Sequence, residues 1–354
     1  MRYRSVVCGL AVGIAMVAGG CRHEPSRSKR SQGAATNAMQ AATPEKVLAQ
    51  KVSKLDHGAL PFIERLDAAG LLAYRKKTGI TICGIAPIAV MLKALKLSGW
   101  KIGVRVLDYY TSGDRTGDWT NSVSYFSIAF FEKPGSKSVS PSRIAKVPGL
   151  DSNLVQKHVV RRMATGPGWY PKSPGPLRRM LDGFLGKVHP KALPGRLVAI
   201  ISPHAGYSFS GPAAAFGYKL VKAMVNLKRV VLMGPSHYVG FWGISVPDKT
   251  DYATPFGLVS LDRAIMDNLL THQGYHTVPR AHLREHSLEM QLPFLRLVQP
   301  HVRLVPMVVG RVSAGQLESL AKPLVPLLDR HTLFIASSDF THRGPRYGYQ
   351  PFAK

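Results

Sequence analysis

Three apolar runs in this chain stop abruptly at polar loops that carry histidines. Leu197 to Ile201 gives way to Ser202-Pro203-His204-Ala205-Gly206-Tyr207, and Arg229 to Met233 gives way to Gly234-Pro235-Ser236-His237-Tyr238. Thr332 to Ala336 stops at Ser337-Ser338-Asp339-Phe340-Thr341-His342, and His286 opens a segment with Leu288, Leu292 and Leu295 at core spacing. Two or three imidazoles with a carboxylate suit a divalent transition metal. Two histidines, one carboxylate and open positions form the non-haem iron arrangement for oxygen chemistry. Asp339, Glu285 and Glu289 are the carboxylates in reach. Asp339 could equally cap a turn, and Glu285 and Glu289 stand where acidic side chains favour a helix N-terminus, the better account for Glu289. One histidine in a loop is usually a hydrogen-bonded structural residue; several delivered to one place argue for a site.

A serine hydrolase is the competing enzyme, with Ser236 as nucleophile and His286 and Asp339 as base and orienter. Gly234-Pro235-Ser236-His237-Tyr238 lacks the second glycine of a nucleophile elbow, which weighs against it. Cys83 follows a strand-like segment and opens a helix, where the dipole would depress a thiol pKa. Free cysteine is commonly buried as a small apolar residue, and that is the favoured account of Cys83.

Positioning these residues requires strands and helices in alternation. A strand over Leu197 to Ile201, a helix over Ala213 to Val225 and a strand over Arg229 to Met233 form a βαβ unit. Leu304 to Val309 predicts a further strand, Gln316 to Leu328 a helix and Thr332 to Ala336 a last strand. In open α/β sheets ligands bind at the carboxyl ends of the strands, so His204, His237 and Asp339 with His342 are expected at one rim. Upstream, Pro44 to Lys77 carries two amphipathic helical patterns, and Pro87 to Leu97 is an apolar helix ended by Ser98-Gly99. Lys101 to Tyr110 and Ser122 to Phe131 read as strands separated by a polar turn from Thr111 to Thr120.

At 354 residues and 45% hydrophobic content the chain can bury a substantial core. Its three cysteines, Cys8, Cys21 and Cys83, exclude a disulfide framework and a CxxC metal site. The net charge of +27 suggests a polyanion partner, but residues 133–196 hold thirteen basic and two acidic residues and no basic block is interleaved with aromatics. That distribution argues against nucleic acid as a partner.

Residues 1–21 have the form of a secretory signal, with Arg2 and Arg4 before an apolar stretch and small residues before Cys21. Val17-Ala18-Gly19-Gly20-Cys21 resembles a bacterial lipoprotein cleavage site, although Ala18 stands where leucine is usual. An exported protein is expected, periplasmic or anchored to the membrane through Cys21. Residues 22–43, rich in Ser, Ala, Lys and Arg, read as a flexible tether.

Ser202 to Gly211 (SPHAGYSFSG), Gly234 to Tyr238 (GPSHY), Thr254 to Gly257 (TPFG), Glu285 to Leu295 (EHSLEMQLPFL) and Ser337 to Gly344 (SSDFTHRG) resemble the Memo family, including the bacterial AmmeMemoRadiSam system protein B. The family's later segments are found at the front, as Leu55 to Asp67, Thr81 to Ile88 (TICGIAPI), Leu107 to Trp119 and Ser122 to Phe130. The resemblance therefore implies a circular permutation of a single domain over 44–354. Residues 44–131 match the family's C-terminal part, 132–158 form the join, and 159–354 match its N-terminal part.

The same resemblance implies an α/β three-layer sandwich with a central, largely parallel or mixed sheet, similar to class III extradiol (LigB-like) dioxygenases. Carried over, the metal positions fall on His204, His237 and Thr341, with His286, Asp339 and His342 as catalytic groups and iron or copper as the metal. Thr341 stands where some family members have cysteine, and a threonine hydroxyl is a poor ligand for such a metal. Two functions follow: a metal-dependent redox or oxygenase-like protein, or a non-catalytic protein that keeps the pocket to bind a peptide or small molecule.

Overall fold

The computed structural model describes residues 43–136 and 158–352. The leader, the tether up to residue 42 and most of the 132–158 join lie outside them. Pro44 to Lys77 resolves into helix α1 (Pro44–His57), a single turn at Leu60–Glu64 and helix α2 (Ala68–Thr78). Local chemistry sets these limits. The Thr43 and Asp67 side chains accept the free N–H groups of Lys46 and Gly70, and Gly79 ends α2 in the left-handed conformation. Helix α3 (Ile85–Leu97) is apolar on most of its surface and is buried accordingly.

Strands β1 (Ile102–Thr111) and β2 (Ser122–Glu132) pair antiparallel. The polar turn expected between them contains a one-turn helix, Ser112–Thr116, because Thr111 and Asp114 cap each other's backbone N–H groups. Four further strands, β3 (Arg196–Ser202), β4 (Arg229–Pro235), β5 (Arg303–Val309) and β6 (Thr332–Ser337), run parallel to one another. The order across the sheet is β1-β2-β3-β6-β4-β5, followed by the short strands Ile244–Ser245 and Tyr275–His276. β6 thus lies between the first two histidine-bearing strands. β2 joins β3 antiparallel, so residues 102–132 extend the same sheet, which is mixed.

Helix α4 (Pro174–Lys187), helix α5 (Tyr207–Lys222) and helix α6 (Leu292–Val298) pack together, with α5 against β2 and β3. α2, α3 and the turn at Leu317–Ala321 pack together, with α3 against β4 and β6. With both faces covered, the central strands are continuous apolar runs, buried from Val230 to Met233 and from Leu333 to Ala336. α5 begins at Tyr207, six residues before the apolar pattern that predicts it, and carries Pro212 inside. The helix expected over Gln316 to Leu328 is broken: it is α-helical only over Leu317–Ala321 and 3-10 over Lys322–Leu327. Pro323 and Pro326 remove the donors an α-helix needs there. No helix among the described residues is long and apolar enough to cross a membrane.

Candidate metal centre

β3, β4 and β6 deliver their loops to one rim, and three of the four histidines expected at the site, His204, His237 and His286, meet there. The ring centroids of His204 and His237 are 5.2 Å apart, those of His204 and His286 5.5 Å, and those of His237 and His286 4.3 Å with the rings stacked. The residue that joins them from outside is Cys83. Its Sγ lies 3.2 Å from His204 Nε2, and one ligand atom from each of Cys83, His204 and His237 falls within 4.8 Å of the others. Cys83 comes from the segment before α3, which approaches the β6 loop closely. A Cβ on Gly84 would stand 2.4 Å from Ser338 Cβ and 2.5 Å from the Ser337 carbonyl oxygen. The Gly84 N–H donates to Ser338 Oγ at 3.1 Å. Glycine is what lets the thiol reach the histidines.

The hydrogen bonds around His204 fix its tautomer. Ser337 has one hydroxyl proton and donates it to the Ser287 carbonyl at 2.7 Å. Its oxygen accepts from Gln291 Nε2 at 2.9 Å and lies 2.8 Å from His204 Nδ1. With no second proton to give, Ser337 accepts there too. His204 therefore carries its hydrogen on Nδ1 and presents a bare Nε2 to Cys83. Burial, with His237 close by, holds the His204 pKa well below the usual range, so the ring is neutral.

Glu285 does the corresponding work for His237. Oε1 lies 2.8 Å from His237 Nδ1, and Oε2 accepts the His237 backbone N–H at 2.8 Å. Burial would push the Glu285 carboxyl up, but the hydrogen bonds from His237 bring it down to about 2. An ionised carboxylate only accepts, so the Nδ1 hydrogen belongs to His237 and its Nε2 is left for the site. A carboxylate or hydroxyl behind each imidazole is the usual outer support of a metal-binding histidine.

His286 stacks on His237 and is packed by Trp169, whose ring centroid is 4.6 Å away; its Nδ1 lies 3.2 Å from the Tyr238 hydroxyl. Burial and the neighbouring His204 and His237 lower its pKa to about 3. It is a neutral ring beside the three donors. Asp339 is buried, and its Oδ1 accepts the His204 backbone N–H at 2.7 Å, so it positions the His204 loop. His342 is tied through Nδ1 to the Phe340 carbonyl at 2.8 Å and packs against Tyr347.

Thr341, expected at the third metal position, is not among the residues brought together here. Its Oγ1 donates to buried Asp56 Oδ1 at 2.6 Å, its N–H to the same oxygen at 3.2 Å, and its carbonyl accepts from Ser124 N–H. The loop thereby turns Thr341 into the protein interior. Ser236 donates to the Val239 carbonyl at 2.7 Å, so no serine–histidine pair of a hydrolase is formed. Glu289 does more than favour a helix start. Buried, it pairs with Arg161 and accepts from the Ala164 N–H at 2.7 Å and the Tyr170 hydroxyl at 2.8 Å. The sequence favours a buried structural role for Cys83 and does not single out Trp169 or Tyr238; the structure places all three at the site. The composition of the TICG segment, a thiol beside a glycine ahead of an apolar helix, was the one signal for the first.

A mixed sheet covered by helices on both faces, with two imidazoles at its strand ends and a thiol brought beside them, defines an α/β sandwich protein carrying a candidate metal centre. A profile of the Memo-like protein family matches residues 29–129 and 161–354, and the chain belongs to that family. It is 34% identical over 188 residues to the Protein memo-1 homolog of Caenorhabditis elegans, covering 52% of this chain and 53% of that one. It is 36% identical over 199 residues to a MEMO1 family protein of Methanopyrus kandleri (52% and 70%) and 33% identical over 202 residues to Protein MEMO1 of Homo sapiens (55% and 67%). The match thus spans about half the length of the worm relative.

Proposed function

We propose that this protein holds a divalent transition metal, iron or copper, on Cys83, His204 and His237, and that it is a redox or oxygenase-like protein. The observation that carries this is the convergence of one thiol and two imidazoles within 4.8 Å, with Nδ1 of each imidazole already engaged by Ser337 or Glu285. Soft thiolate with imidazole suits copper and iron better than magnesium or calcium. When bound, such a metal supplies Lewis acidity and open coordination positions. The chain's own residues do the rest. Asp339 and Glu285 hold the His204 and His237 loops through their backbone N–H groups, and Trp169 packs over His286. His286, its ring stacked on His237, is the group we place beside the donors to exchange a proton. Burial keeps the Cys83 thiol pKa well above its usual value, so binding a metal releases a proton from it.

The test is metal analysis of the chain purified without oxygen, beside Cys83→Ala, His204→Ala and His237→Ala. Near-stoichiometric iron or copper in the parent and its loss in each variant is expected. Sub-stoichiometric metal, equal in all four proteins, sinks the proposal. A second reading, a protein that binds a small molecule or peptide without turnover, is favoured by the cavity of about 630 Å³ that opens from Cys83 and His237. Oxygen consumption by the metal-loaded protein separates the two.

We infer as well that the chain order is permuted relative to the family. Supporting this, β2 from the front of the chain pairs with β3, and the two ends of the described domain meet: Tyr349 Oη donates to the Thr78 carbonyl, and Lys51 Nζ lies 5.9 Å from the Phe352 ring centroid. For residues 1–21 we keep export, with Cys21 as the lipid attachment point. Palmitate labelling that persists in Cys21→Ser would remove the attachment.

A further inference from the structure

We infer that the cavity beside Cys83 and His237 is built to take a small organic anion, a compound with a flat apolar body and a carboxylate or phosphate group met by Arg75 and Arg311. The inference rests on the Cys83–His204–His237 cluster being the functional centre and adds the class of compound it serves.

Both formal charges in the wall of this cavity are positive. Arg75 comes from the last turn of α2 and Arg311 from the loop after β5, and no Asp or Glu lines the space. Neither guanidinium belongs to an ion pair among the described residues; the ion pairs of the basic side chains there go to other arginines, lysines and histidines. The helix dipole accounts for a cation at Arg75, near a helix C-terminus. It does not account for Arg311, which follows a strand. Two planar, permanently charged forks facing one concave space are suited to bidentate capture of carboxylate or phosphate.

The apolar part of the wall is aromatic and open. Trp242 is 56% exposed and Tyr238 50%, unusual for such large side chains, and Phe241 joins them. Flat rings at a cavity mouth give contact area at little conformational cost. The loop that carries them is braced against Arg311. Arg311 N–H donates to the Phe241 carbonyl at 2.7 Å, Trp242 and Arg311 form a β-bridge, and a Cβ on Gly310 would stand 2.3 Å from the Phe241 oxygen. The aromatic loop and the Arg311 backbone are therefore held in one fixed relation, with Cys83 and His237 in the same wall. At about 630 Å³ the cavity is in the usual range for small-molecule sites.

The test uses the full chain, as purified and after metal removal, with benzoate, phenyl phosphate and uncharged benzyl alcohol as probes in titration calorimetry. Benzoate or phenyl phosphate is expected to bind at least tenfold more tightly than benzyl alcohol; which of the two is preferred tells carboxylate from phosphate. Arg75→Gln combined with Arg311→Gln should abolish that preference and leave benzyl alcohol unchanged. Both arginines are exposed, so an unchanged thermal midpoint confirms that the variant folds. Equal affinity for charged and uncharged probes, or full retention of the preference in the double variant, overturns the inference. An anion preference in a chain that never binds metal retires the metal proposal and leaves this one standing; stoichiometric metal without any anion preference does the reverse.

Discussion

Cys83 Sγ lies 3.2 Å from His204 Nε2, across 121 residues of sequence. The thiol faces a ring nitrogen that has no hydrogen, because the Ser337 hydroxyl commits its only proton to Ser287. A donor and a lone pair therefore meet where a metal would take both.

Thr341 and Cys83 should separate cleanly on substitution. Cys83→Ala should remove bound iron or copper with little loss of fold. Thr341→Val should keep the metal but lower stability by roughly 1 to 3 kcal/mol, since it leaves buried Asp56 short of a donor. Metal content and urea midpoints of the two variants decide this; metal loss in Thr341→Val would return Thr341 to the ligand set.

Glu285→Gln keeps the shape behind His237 and removes the charge. Outer partners of metal-binding histidines are worth roughly 10- to 100-fold in metal affinity. That loss should appear in competition titrations with a chelator, with the circular dichroism spectrum unchanged. Parent-like affinity would show that Glu285 holds the loop and nothing more.

Glu289 should make the protein acid-sensitive. Burial alone would raise its carboxyl, but the Arg161 guanidinium and the Ala164 N–H hold it at about 2, against 4.5 when unperturbed. The folded pKa is the lower one, so the unfolded chain binds more protons as acid is added. The contribution is complete above about pH 4.5 and is lost as the pH falls toward 2, roughly 3 kcal/mol in all. Urea unfolding from pH 7 to pH 2.5 should show that slope, reduced in Glu289→Gln; an equal slope in both proteins places the effect elsewhere.

Joining residue 352 to residue 44 by a short linker, and opening the chain between 137 and 157, should give a folded protein with the parent spectrum and metal content. The contacts of Tyr349 with Thr78 and of Lys51 with Phe352 place those ends together. An aggregated product, with the parent soluble, would count against the permuted order.

The rim of the site was legible because each apolar strand stops sharply: His204 and His237 stand just past residues that become fully buried parallel strands. The helices around Pro44 to Lys77 were equally legible, since cap residues and apolar spacing are local properties. What failed was also physical. Pro323 and Pro326 lie inside an apolar spacing that reads as helix, and the missing N–H groups outweigh it. Glu285 reads locally as a helix cap, which it is, but its bonds to His237 span 48 residues and no local pattern contains them. Cys83 likewise meets His204 only across 121 residues, a contact no local pattern contains. The family resemblance puts the third metal position at Thr341 by chain position; the Thr341 side chain bonds Asp56, and the thiol beside the histidines is Cys83.

An ion shared by the Cys83 sulfur and the His204 nitrogen would close a loop of 121 residues. Such a closure acts on the unfolded chain as a cross-link does, reducing its freedom by an amount that grows slowly with loop length. Chelation would then do more than empty a site: it would untie the front of the chain from its middle, and the temperature of unfolding would report how full the site was.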